Sequence, residues 1–187
     1  VHRRGRVRRR ERGQQRWRIQ RGWRQLRRRR LERELVMARP PRWVRTVLSE
    51  ADLGAVAAVI ATAEAATSAE IRVHLDARCP GEALARATLV FERLGMHRTA
   101  ARHGVLVYVS IEDHKLAVLG DRGIHERVGQ AYWDGLVEAV LGHFRQARFR
   151  DGLVHAVGEV GAVLRRHFPR GPDDVNELPD RVSVEPS

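Results

Sequence analysis

A single cysteine in 187 residues excludes an internal disulfide, so the fold needs no oxidising compartment. Lysine is as scarce: Lys115 stands alone among thirty-five basic residues, and no glycine-rich phosphate loop has the lysine it requires. A GC-rich coding sequence is the simplest account of that arginine bias. Long apolar runs are missing too. The longest uncharged stretches, such as Leu53–Ala63, fall well short of the roughly 18 residues that cross a bilayer. Residues 1–36 contain no uninterrupted apolar run and no serine, which argues against a signal peptide and a mitochondrial leader. The expectation is a soluble, cytoplasmic protein without a membrane span.

Several enzyme signatures are incomplete. His125-Glu126-Arg127-Val128-Gly129 starts like a zinc-protease helix but has no second histidine. Gly120-Asp121-Arg122-Gly123 is too short for a dinucleotide fingerprint. Cys79 sits between a strand and a helix start, where a thiol is activated. Six residues on, however, a cysteine phosphatase needs arginine and this chain has Ala85. His143, His155 and His167 lie twelve residues apart and read as separate surface positions.

Positive charge is abundant, but only at one end. The formal net charge is +12, yet residues 1–36 alone hold sixteen Arg against three Glu, and the remainder sums to −1. Arg blocks interleaved with Trp17 and Trp23 suit phosphates and stacked bases, and Ile19, Trp23 and Leu26 share a helical face. The plainer reading is translated upstream DNA, with Val1 a misassigned start and Met37 the opening of a shorter product. The expected organisation is an Arg-rich extension over 1–36, a linker over 37–48, a folded domain over 49–168 and a Pro- and acid-rich tail over 169–187.

Within the domain, Ser49-Glu50-Ala51-Asp52 is a capping box, and Val56, Val59, Ile60 and Ala63 recur at helical spacing. Glu70–Leu75 alternates as a half-buried strand with Ile71, Val73 and Leu75 on one face. Pro80 suits the first position of a helix running to about Leu94, with Gly95 just past its end. Val105–Ile111 and Lys115–Leu119 form two more strands around a Glu112–His114 turn. Two amphipathic helices follow, one striped by Trp133, Leu136, Val140 and Phe144, the other by Leu153, Val157, Val160 and Leu164. In the second, Gly158 and Gly161 permit close approach. The order α-β-α-β-β-α-α gives an α/β fold: a parallel β-α-β unit plus an antiparallel hairpin, in a small mixed sheet flanked by helices on both faces.

Certain stretches resemble a known family. TSAEIRVHL, FERLGM followed two residues later by Thr, RHGVLVYVS, DHKLAVLGDRGI, and a Trp-containing helix with DGL and FP beyond are similar to the TPM domain family, over roughly residues 49–180. The family takes its name partly from a thylakoid acid phosphatase. The resemblance implies an α/β sandwich, divalent-cation binding near the loops before the second strand and after the third, and a phosphatase activity claimed for some members. Many members carry a signal peptide and a membrane anchor; neither is read here. Members usually have Asn or Asp-Asn before the glycine of the second strand, where this chain has Arg102-His103, a departure that counts against a metal there.

Two ends of the sheet gather candidate residues. At one, Asp121, Glu126 and Glu70 offer carboxylate oxygens to Ca²⁺ or Mg²⁺, with Arg102, His103, Arg122 and His125 placed for a phosphate. The structural alternative is that Asp121 caps the helix beginning near Ile124. The second-ranked cluster, Asp76, Glu112, Asp113 and His114, lies at the carboxyl ends of the parallel strands, where open α/β sheets bind ligands. The function expected is a non-catalytic binding or accessory module able to take a divalent cation. The alternatives are a metal-assisted phosphatase and a polyanion-binding protein acting through residues 1–36. The expected partner is a protein or small phosphoester, or a nucleic acid or anionic surface if residues 1–36 are native.

Overall fold

A computed structural model describes residues 39–98, 103–171 and 178–185. The chain from Pro40 onward forms one compact unit. After a short helix α1 (Arg42–Arg45), helix α2 spans Glu50–Glu64. Its start is fixed by the expected box: Ser49 Oγ accepts from the Asp52 amide at 3.1 Å, and Asp52 Oδ2 accepts from the Ser49 amide at 2.9 Å. Strand β1 (Glu70–Asp76) follows, then helix α3 (Ala83–Arg93) and a 3₁₀ turn at Met96–Arg98. Pro80 is not the first helical residue. Asp113 accepts from the Cys79 amide and Lys115 Nζ donates to the carbonyls of Cys79 and Gly81, so this loop is tied to the hairpin and α3 starts later.

Strands β2 (Gly104–Ser110) and β3 (Lys115–Gly120) form the hairpin, with His114 at φ 52° in its turn. Helices α4 (Arg122–Val128), α5 (Gln130–Phe144) and α6 (Phe149–His167) complete the domain. A last strand, β4 (Ser183–Val184), comes from the acid-rich segment. The sheet order is β3-β2-β1-β4. β1 runs parallel to β2, with Glu70 opposite Gly104 and Asp76 opposite Ser110, while β2 and β3 are antiparallel. The mixed α/β architecture is therefore the one read from the sequence, with a fourth strand added.

One face of the sheet builds the larger core, where Ile71, Val73, Leu75, Val105 and Val107 pack with residues of α2, α5 and α6. Gly161 on α6 sets that packing, since a Cβ there would lie 2.6 Å from the Ala63 Cβ on α2; Gly158 has open space. The other face lies under α3, where Ala87, Val90 and Phe91 meet Leu106, Tyr108 and Ala117. β1 departs from the half-buried expectation: all seven of its residues are buried. Alternation sends Glu70, Arg72, His74 and Asp76 to the α3 side, where residues 178–185, the strap, meet them.

Candidate functional site

Each polar side chain on that face of β1 has a partner near it. Glu70 Oε2 accepts from the Leu178 amide at 3.2 Å, and Arg72 Nη1 donates to Pro179 O. β4 pairs with β1 in parallel, Ser183 opposite His74 and Val184 opposite Leu75, and the Glu185 amide donates to Leu75 O at 3.0 Å. That register delivers Ser183 and Glu185 to the last two polar positions of the strand.

The resulting cluster has a defined geometry. Asp76, 1% exposed, is held through Oδ2 by Arg86 Nε at 2.7 Å and by the Tyr108 hydroxyl at 2.9 Å. Its Oδ1 faces His74 Nε2 at 3.0 Å, and a Glu185 carboxylate oxygen stands 3.8 Å from the same nitrogen. Arg93 holds Glu185 with both terminal nitrogens, and Arg86 Nη2 lies 3.9 Å away. One ligand atom from each of His74, Asp76 and Glu185 falls within 4.8 Å of the other two.

Electrostatics keep the donors available. Burial pushes the His74 imidazole below its ordinary pKa, outweighing the opposing pull of Asp76, so the ring is neutral near pH 7. Burial raises the Asp76 carboxyl, but hydrogen bonds from Arg86, Tyr108 and His74 more than offset this and hold it below the usual range. Ser183 Oγ reaches both Val73 O at 3.2 Å and His74 Nδ1 at 2.8 Å. Because the carboxylate only accepts, Nε2–H donates to Asp76 Oδ1 and Nδ1 accepts from the Ser183 hydroxyl. A cation taking Nε2 would require the proton on Nδ1, where Ser183 Oγ can accept it while donating to Val73 O.

The sequence-expected positions lie elsewhere or join in part. Of the second-ranked cluster, only Asp76 belongs to this arrangement. Glu112 pairs with Arg78 at 2.6 Å, Asp113 holds the Cys79 amide, and His114 sits in the hairpin turn. At the other end of the sheet, the Asp121 amide donates to Gly104 O at 2.8 Å and the Glu70 amide to His103 O at 3.2 Å, so the three strand ends are adjacent. Asp121 caps α4 through its own Oδ1 and the Arg122 amide, while Oδ2 is enclosed without a hydrogen-bond partner. Glu126 pairs with Arg122 in the open, and His103 packs against Phe168 with tilted rings whose centroids are 3.8 Å apart. His125 lies on α4, and Arg102 falls outside the described residues. His143 and His155, read as separate, have ring centroids 5.4 Å apart.

Sequence reasoning missed His74, Arg86, Arg93, Tyr108, Ser183 and Glu185. The available signal was the alternation Glu70-Arg72-His74-Asp76 on a strand whose other face is wholly apolar.

The profile of the TPM domain matches residues 44–163. The chain belongs to the TPM domain family. Among solved structures, the BA42 protein from the psychrophilic bacterium Bizionia argentinensis, determined by NMR, is 37% identical. The likeness covers 74% of this chain and 95% of that one, with a TM-score of 0.69. No functionally curated protein matches the chain. Among the described residues of this TPM-domain protein, no helix is long and apolar enough to cross a membrane.

Proposed function

We propose that this TPM-domain protein is a binding module for a divalent cation, held by His74, Asp76 and Glu185. The convergence of three donor atoms within 4.8 Å carries the reading. Donors on a tetrahedral ion at about 2.0–2.2 Å stand about 3.4 Å apart. The separations of 3.0 and 3.8 Å about Nε2 bracket that value. One imidazole nitrogen with two carboxylates suits Zn²⁺ or Mn²⁺ better than Ca²⁺ or Mg²⁺, which prefer an all-oxygen shell. Arg86 and Tyr108 orient the Asp76 carboxylate, and Ser183 orients the imidazole.

A second reading places Ca²⁺ or Mg²⁺ at the opposite end of the sheet, favoured by the enclosed, unpartnered Asp121 Oδ2. Thermal unfolding in Zn²⁺, Mn²⁺, Ca²⁺ and Mg²⁺ separates the two. At a hundredfold excess over Kd, the first reading expects Zn²⁺ or Mn²⁺ to raise the midpoint by about 5–10 °C. The rise should vanish in Asp76→Asn and in Glu185→Gln. A rise confined to Ca²⁺ or Mg²⁺ and lost in Asp121→Ala selects the second reading. Equal shifts in all these variants dismiss both. Hydrolysis of p-nitrophenyl phosphate that depends on the cation and is lost in Asp76→Asn would make the module a metal-assisted phosphatase instead.

A further inference from the structure

We propose that the groove along β1 now filled by residues 178–185 is a docking site for an extended, acidic segment of another protein, and that the strap occupies it in cis. Without β4, β1 is an edge strand with main-chain groups open to pairing. The strap uses little of that capacity. Two residues pair, one further amide donates to Leu75 O, and residues 178–185 are all part-exposed whereas β1 is wholly buried.

What the groove recognises is written in the contacts of its present occupant. Val182 and Val184 pack against the larger core, which asks for apolar residues at alternate positions. Ser183 meets His74 and Val73 O, which asks for a hydroxyl. Glu185 takes both terminal nitrogens of Arg93, with Arg86 beside them, which asks for an acid two residues on. Arg72 adds a donor to the Pro179 carbonyl upstream. Main-chain pairing with pockets for alternate side chains is how peptides add to a sheet edge. Arg93, with Arg86 shared between Asp76 and the strap, selects for an acid at that position of the strand.

An intramolecular occupant competes at an effective concentration on the order of millimolar, so a partner binds strongly only when the strap is loosened. This inference goes beyond the cation site and does not depend on it, and its test is run in EDTA. The probe is a fluorescent peptide of sequence LPDRVSVEPS, the chain's residues 178–187. Full-length Glu185→Lys should bind it at least tenfold more tightly than wild type by anisotropy. Adding Arg93→Glu in the same chain should abolish binding, as should replacing Glu by Lys in the peptide. Equal affinity of wild type and Glu185→Lys, with circular dichroism unchanged, overturns the proposal. So does dimerisation of the wild type by light scattering, which would make the strap of a second copy the occupant. Hydrogen exchange on the wild type gives a check that needs no variant. The Glu185 amide should exchange at least tenfold faster than that of Val107; equal protection would make β4 an integral strand and end the idea.

Discussion

Glu64 keeps its proton at neutral pH. It ends α2 with a side chain 4% exposed, and Oε1 accepts from the Ile71 amide at 2.6 Å. Burial first, then a hydrogen bond with Asp180 and the nearby Glu70, push its pKa up to about 9. A folded value above the unfolded one means that this group's contribution is fully present below about pH 4.5. It is then lost as pH rises through about 9. Wild-type stability, read from urea midpoints, should therefore fall between pH 5 and pH 9, by on the order of a few kcal/mol. Glu64→Gln retains the acceptor for Ile71 and has nothing to ionise, so its profile should be flatter and its stability at pH 8 higher. A parallel fall in both proteins would place the titration elsewhere. From sequence, Glu64 is an ordinary polar residue at a helix end. Part of its raised pKa comes from Asp180, more than a hundred residues away, and local periodicity carries no trace of that.

Between elements, the contact of α2 with α6 turns on Gly161 and Ala63. Gly161→Val forces a side chain into space already held by the Ala63 methyl, and overpacking of that kind costs about 1–3 kcal/mol. Gly158→Ala meets nothing within 4 Å and trades a flexible residue for a good helix former. Urea unfolding should show the first variant destabilised and the second neutral or more stable. The sequence led to both glycines but not to the choice between them, because helical phase fixes a face and not the depth of a neighbour. Elements with strong local signals were legible: the Ser49 box, the parallel pair, the hairpin and the Asp121 cap all stand where the residues put them. β4 was not. Two paired residues in a Pro- and acid-rich stretch carry no periodicity, and without the strap the charged face of β1 reads as solvent-facing. The candidate site was legible only at Asp76, because its other donors come from a strand face and a segment that meet solely in the folded chain.

For the molecule as a whole, charge is divided between an arginine-rich opening and a nearly neutral remainder. Residues 1–36 lie outside the described structure, but their charge makes a testable statement. If they grip polyanions, the full chain should bind a DNA duplex far more tightly than a product starting at Met37, with affinity falling steeply as salt rises. Equal affinity, or affinity indifferent to salt, assigns them no such part.

The sheet order has a consequence for biosynthesis. The edge of β1 is sealed by a strand more than a hundred residues later in the chain. While the polypeptide is emerging from the ribosome, α2, β1 and the hairpin can already assemble, but their charged flank stays bare until residue 185 is free of the exit tunnel. Throughout that interval the nascent domain presents an open strand, a template for pairing that only its own last segment removes.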